Sequence, residues 1–239
     1  MSLVSFRKAC TWLSFASSFV SAAPLQRRAT IDSDAVVGFP QTVPNNLTGT
    51  LYLKYKPYLY VANGCVPFPA VDAEGNVSGG LAPSGASNGD CSSSTGQVYT
   101  RAGTYNGDYA IMYSWFMPKD EPSDGIGHRY DWENIVVWLE NPSAANPTLL
   151  GVAASAHGDY QDNTSPSLSG NGPLIEYESI WPLDHQLLFT STKGGQQPLI
   201  AWESLTAAAK QTLNTFDFGS AIVPFRDDNF QSYLAEAAL

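Results

Sequence analysis

The sequence predicts a mainly β fold, a sandwich of antiparallel sheets with a few peripheral helices. Short segments rich in β-branched and aromatic residues recur along the chain, and clusters of Gly, Pro, Asn and Asp separate them. Helical spacing is confined to two stretches near the C-terminus. Strands in that majority bury their apolar faces as two packed sheets, with the helices left at the periphery.

In chain order, residues 50–60, 109–117, 132–139, 149–155 and 185–190 are the expected strands. Within the third, Trp132 and Trp138 lie an even number of positions apart and so share one face, expected in the core. Residues 204–213 are Ala-rich with Ser204 as the expected N-cap, and residues 228–239 place Phe230, Leu234 and Ala237 at helical spacing. The run Asp124-Gly125-Ile126-Gly127 reads as a turn that folds the preceding strand back on the following one.

The N-terminus has Arg7 and Lys8, an apolar stretch over residues 9–20, then Ser21-Ala22-Ala23, the pattern of a secretory signal peptide cut after Ala22. Arg27-Arg28 forms a dibasic site, so residues 23–28 read as a short propeptide and residues 29–239 as one domain of about 210 residues. Four of the 12 basic residues leave with residues 1–28, giving eight against 22 acidic ones, a net charge of −14. Such a charge argues against nucleic acid as a partner and against simple attraction to anionic lipid. Membrane contact then has to be specific or bridged by a cation.

Of three cysteines, Cys10 lies in the signal peptide, and Cys65 and Cys91 remain as an even pair in a chain bound for an oxidising compartment. They are expected to form one disulfide, contributing about 3 kcal/mol in the chain-entropy picture. Sequons begin at Asn46, Asn76 and Asn163, each a possible glycan acceptor.

The chemistry concentrates in Gly127-His128-Arg129-Tyr130-Asp131-Trp132-Glu133. On an extended segment Asp131 and Glu133 point the same way, and the turn folds Asp120 and His128 toward them. Three carboxylates and one imidazole make a mainly oxygen shell that suits Mg²⁺, Ca²⁺ or Mn²⁺ better than zinc. Taken alone, Asp131 and Glu133 read first as solvated charges on an exposed strand face, and His128 as a locally paired turn residue, ahead of any ligand role. Arg129 reads as an ion-pair partner of the acidic edge, and His157 as part of a turn.

The heptapeptide and the block before it, Ala110-Ile111-Met112-Tyr113-Ser114-Trp115-Phe116-Met117-Pro118-Lys119-Asp120, resemble the two characteristic blocks of the necrosis- and ethylene-inducing peptide-like (NLP) family of secreted microbial cytolysins. Further resemblance lies in Asp34-Ala35-Val36-Val37-Gly38-Phe39-Pro40, Asn63-Gly64-Cys65-Val66-Pro67-Phe68-Pro69 and Asp217-Phe218-Gly219-Ser220-Ala221. The resemblance implies a sandwich like that of actinoporins and fungal lectins. It implies a virulence factor in the host apoplast that presents a divalent cation to glycosylinositol phosphorylceramide headgroups of plant plasma membranes and damages them. Carried over by position, the cation residues are Asp120, His128, Asp131 and Glu133. Trp181, Asp184 and His185 resemble the loop that meets headgroup and bilayer, His185 being equally readable as buried by its strand, and Asp72 and Asn76 resemble the polar positions of a facing loop. A glycan on Asn76 conflicts with that role. The departure is Tyr130, which stands where the family carries a second histidine and is a poor ligand for a hard cation.

Two other functions remain open at this stage. A metal-dependent hydrolase would use the same carboxylates, yet His-Glu-x-x-His and a P-loop are absent, Gly-x-Ser-x-Gly occurs only as Gly85-Ala86-Ser87-Asn88-Gly89 in the Gly- and Ser-rich stretch between the two cysteines, and the expectation is a protein that is not an enzyme. A non-lytic relative would bind headgroups only, or be sensed by plant immune receptors through residues 110–133, which resemble the family's immunogenic peptide.

Overall fold

The computed structural model describes residues 28–144, 146–179 and 185–239. The expected signal peptide, Trp181 and Asp184 lie outside the described residues. In chain order come β1 (Thr30–Ile31), α1 (Leu47–Lys54), β2 (Tyr58–Val61), β3 (Val77–Ser78), β4 (Val98–Tyr105), β5 (Asp108–Ser123), β6 (Ile126–Glu140) and β7 (Thr148–Ala156). Then follow β8 (Asp159–Asn163), β9 (Leu168–Ser169), β10 (Gly172–Ser179), β11 (His185–Phe189), β12 (Leu199–Ala201), α2 (Ala207–Thr215) and α3 (Phe230–Glu236).

The main sheet has six strands in the order β12-β4-β5-β6-β7-β8, and the second has the order β11-β10-β2 with β9 added to β10. Pairing is antiparallel except at three edges, β12 on β4, β2 on β10 and β1 on β3. β11 packs across β5, β6 and β7, which makes the two sheets a sandwich. The opposite face of the main sheet is sealed by an aromatic cluster, in which Trp132 meets Tyr99, Phe116, Phe218 and Phe225 with ring centroids 5.3–5.6 Å apart. Rings at such spacings add stabilisation beyond their buried area. Trp138, on the same strand face, donates its indole N–H to the Ala237 carbonyl at 2.8 Å and so ties the end of α3 to the sheet.

The long hairpin β5–β6 dominates. Its turn is tighter than expected: Ser123 pairs with Ile126, leaving only Asp124 and Gly125 between the strands. Gly127 is forced by close approach, since at φ +117° a Cβ there would meet the Asp120 carbonyl oxygen at 2.1 Å. Beneath the hairpin the buried pair Lys119–Glu121 clamps the disulfide-bearing loop. The Lys119 ammonium also donates to the Ala86 carbonyl at 2.9 Å, and Glu121 accepts from Gly125 N at 3.2 Å. Cys65 and Cys91 form the expected disulfide.

Two expectations need correction. Residues 50–60 are not one strand: α1 occupies Leu47–Lys54, and only Tyr58–Val61 is extended. Asn46 accepts from Gly49 N at 3.0 Å and caps the helix, whose buried residues Leu51 and Tyr52 are followed one turn on by buried Tyr55. The aromatic content that suggested a strand thus serves a helix face. The N-cap of α2 is Thr206 rather than Ser204, its hydroxyl accepting from Ala209 N at 3.1 Å, while Ser204 closes a short 3₁₀ turn.

Candidate functional site

β7 ends at Ala156, and its pairing with β6 begins at Ile135, so the stretch of β6 before Ile135 forms an open edge of the main sheet. A cavity of about 580 Å³ lies there, lined in part by Asp120, His128, Asp131, Glu133 and His185. Strand parity alone would separate these residues, because His128 and Asp131 are an odd number of positions apart. Tyr130 resolves the conflict. It sits in the left-handed region at φ +64°, between the pairs Lys119–Arg129 and Met117–Asp131, and breaks the alternation. A non-glycine residue held there stores on the order of 1–2 kcal/mol of backbone strain, which the packing must offset. It is this kink, rather than the turn alone, that brings the expected four together.

The Tyr130 side chain takes no place among the cavity-lining residues. Its ring packs on Phe116, Phe216 and Phe218, with the nearest centroid 5.3 Å away, and Gly80 makes room for it, since a Cβ there would stand 2.6 Å from the ring. Its carbonyl serves the site instead, lying 2.8 Å from His128 Nδ1. A carbonyl only accepts, so Nδ1 carries a proton, and Nε2 stands 3.8 Å from Asp120 Oδ2.

Each carboxylate is buried and held by a named donor. Asp120 accepts the backbone N–H of His185 at 3.1 Å and pairs with the His185 imidazole. Asp131 accepts the Tyr177 hydroxyl at 2.8 Å, and Glu133 accepts the Ser155 hydroxyl, which itself receives Asn134 N at 2.9 Å. Among the described residues no lysine or arginine lines the cavity. Burial, then repulsion from Asp120, pushes the Asp131 carboxyl up to about 7, and burial with repulsion from Asp131 pushes Glu133 well above the usual carboxylate range. Among the described residues no group of three or more His, Cys, Asp or Glu side chains is arranged to hold a metal ion as it stands.

The other expected residues fall differently. His185 lines the cavity, but its side chain is buried against Tyr177, so it positions Asp120 rather than facing solvent. Asp72 and Asn76 do not line the cavity. Asp72 is buried and accepts from Glu74 N, Asn76 N and Asn76 Nδ2, and Asn76 Oδ1 accepts Ala29 N at 3.1 Å. Of the sequons, Asn46 caps α1, Asn163 accepts Ser165 N at 2.8 Å, and Asn76 opens one whose Ser78 is fully buried on Ser33. Among the described residues Arg129 forms no pair with the acidic edge but donates to the carbonyls of Gly79 and Gly80 at 2.7 and 3.1 Å, backbone groups that β3 delivers to its strand. His157 lies with Gly158, both at positive φ, in the two-residue turn between β7 and β8. Sequence reasoning missed Tyr177, Ser155, Tyr160 and Tyr233. Nothing local marks them, since each reaches the site only through strand pairing or through α3.

No helix among the described residues is long and apolar enough to cross a membrane. The sequence profile described as Necrosis inducing protein (NPP1) matches residues 49–237. NLP effector protein 10 of Phytophthora capsici is 49% identical over 216 residues, covering 88% of this chain and 92% of that protein. The solved structure of NLPPya in complex with mannosamine superposes with a TM-score of 0.84 at 52% identity, covering 88% of this chain and all of that one, and the same protein has been solved with glucosamine. The structure of the non-toxic HaNLP3 protein matches with a TM-score of 0.83 at 41% identity, covering 86% of this chain and 98% of that one. With the profile spanning most of the chain and the sandwich superposing over nearly all of its relatives, the chain belongs to the necrosis-inducing NLP family of toxin-fold effectors.

Proposed function

We propose that this chain is a secreted cytolysin-like effector that holds a divalent cation between Asp120, His128, Asp131 and Glu133, presents it to the sugar headgroup of glycosylinositol phosphorylceramide in plant plasma membranes, and damages those membranes. The observation that carries this reading is a cavity with three buried carboxylates and, among the described residues, no lysine or arginine. Burying that charge uncompensated is costly, and a hard cation with oxygen ligands matches the donor set. Asp131 and Glu133 each commit one oxygen to a hydroxyl donor, so the second oxygen of each is the one offered to the ion. Mg²⁺, Ca²⁺ and Mn²⁺ all fit this chemistry. When bound, the cation supplies a positive centre that draws sugar hydroxyl or phosphate oxygens to an otherwise acidic protein.

Related structures that hold mannosamine and glucosamine support a carbohydrate ligand. Trp181 and Asp184 are proposed to complete the site, with the indole at the bilayer interface and the carboxylate on the sugar. Secretion into the apoplast, after removal of residues 1–28, belongs to the same proposal. The test is dye leakage from vesicles containing plant glycosylinositol phosphorylceramide. Leakage that chelator and Asp131→Ala both abolish supports the reading, and chelator-insensitive leakage overturns it.

A second reading has its own support, since the fold is shared with a non-toxic relative. Under it the chain binds headgroups without lysis, or is sensed through residues 110–133. In the folded chain residues 110–121 are buried in β5, so a receptor would meet that segment only after the chain is degraded. A proteolysed, leakage-inactive sample that still elicits plant immune responses would favour it.

A further inference from the structure

The cavity is larger than a cation and one sugar ring require. From Asp120 and His128 it runs past Asn134 and Ser155 to Tyr160 on β8 and to Tyr233 and Glu236 on α3. This far half is built rather than incidental. The Tyr160 hydroxyl donates to Asn134 Oδ1 at 2.7 Å, which fixes the ring beside β6. Burial raises the Tyr160 and Tyr233 hydroxyls, and both also feel the charges of Glu133 and Glu236, so the four groups stand together. Trp132 lines the cavity as well, and its buried indole N–H has no hydrogen-bond partner among the described residues. Buried donors are rarely left unmade without a ligand or water to meet them.

Charge says what belongs there. Among the described residues five carboxylates line the cavity, those of Asp120, Asp131, Glu133, Asp159 and Glu236, against no lysine or arginine. One divalent cation at the first three leaves the far half acidic. Glu236 is exposed and has no hydrogen bond or ion pair among the described residues. We propose that Tyr160, Tyr233 and Glu236 form a second sugar subsite for a 2-amino-2-deoxyhexose unit linked to the sugar held at the cation. Glu236 accepts from its ammonium, the two tyrosines offer aromatic surface to its apolar C–H face, and the Trp132 indole N–H meets a hydroxyl. The proposal rests on the sugar-binding reading above and deepens it, because it makes the preferred headgroup an amino-sugar chain of at least two units.

The test is calorimetric titration of the full secreted chain, in Mg²⁺, with glucosamine, with its β-1,4-linked dimer and with neutral cellobiose. The wild type is expected to bind the dimer about tenfold more tightly than glucosamine and more tightly than cellobiose. Glu236→Gln, checked for an unchanged melting temperature, is expected to lose that gain and keep the glucosamine affinity. A dimer that binds no more tightly than glucosamine, or a gain that survives Glu236→Gln, overturns the second subsite while leaving the first intact. Failure of the wild type to bind any of the three sugars overturns the underlying sugar reading and the proposal together.

Discussion

Tyr177 and His185 stack face to face, 4.6 Å between ring centroids and 14° from parallel, and each holds a different carboxylate of the acidic cluster. They are diagonal neighbours on β10 and β11, since Tyr177 pairs with Leu187 and Ser179 with His185. The second sheet thereby sets the geometry of a site whose carboxylates all belong to the main sheet. Gly64 closes over this stack, where a Cβ would stand 2.3 Å from His185 Nε2.

Removing the Tyr177 hydroxyl tests that relationship. Tyr177→Phe keeps the ring and its stacking but frees Asp131, so Mg²⁺ affinity is expected to fall about tenfold, the usual effect of losing an outer partner of a metal ligand. Stability of the metal-free protein changes by only about 1 kcal/mol. Calorimetric titration and thermal melts read the two effects separately, and unchanged affinity would remove Tyr177 from the site.

Position 130 makes a sharper contrast. The Tyr130 ring lies in the aromatic cluster, outside the cavity lining, so Tyr130→His is expected to leave cation affinity within about twofold of wild type. Tyr130→Ala opens a cavity among Phe116, Phe216 and Phe218 and is expected to cost about 3 kcal/mol in urea denaturation. A large gain in affinity on Tyr130→His would show that the ring position matters to the ligand.

The acidic cluster also predicts a pH dependence. Asp131 is raised to about 7 in the fold from 3.8, so the folded chain takes up its proton more readily than the unfolded one. The resulting stabilisation is fully present below about pH 4 and is lost as pH rises through about 7. Without divalent cation the melting temperature is therefore expected to fall across that window. Saturating Mg²⁺ should hold it level near pH 7, and a metal-free melting temperature that rises from pH 4 to 7 would count against the cluster as described.

The ion pair under the hairpin supplies a fourth prediction. Lys119 and Glu121 are 2% and 0% exposed, so Lys119→Met leaves an uncompensated buried carboxylate at a cost of about 3–5 kcal/mol. Combining Lys119→Met with Glu121→Gln should recover most of that loss. Equal melting temperatures for Lys119→Met and wild type would mean the pair contributes nothing.

Local pattern carried the strands β5, β6, β7 and β11 and the two C-terminal helices, because each has a period that the sequence displays. It failed at α1, where a capping Asn46 doubled as a sequon and aromatic residues suggested β structure. Of the site, the four expected cation residues were legible from composition and family pattern, and they do line one cavity. The reason they meet was not legible. A left-handed tyrosine inside a strand leaves no sequence mark, and the donors that hold the carboxylates arrive from β7, β10 and β11, 22 to 65 positions away along the chain.

The central claim is that the carboxylate cluster binds a headgroup through a cation. Co-sedimentation with vesicles containing plant glycosylinositol phosphorylceramide tests it most directly, in Mg²⁺ and in chelator, for wild type and for Asp131→Ala. Binding that requires Mg²⁺ and is lost in Asp131→Ala, with an intact melting transition, is the predicted result. Equal binding in chelator, or by Asp131→Ala, would contradict it.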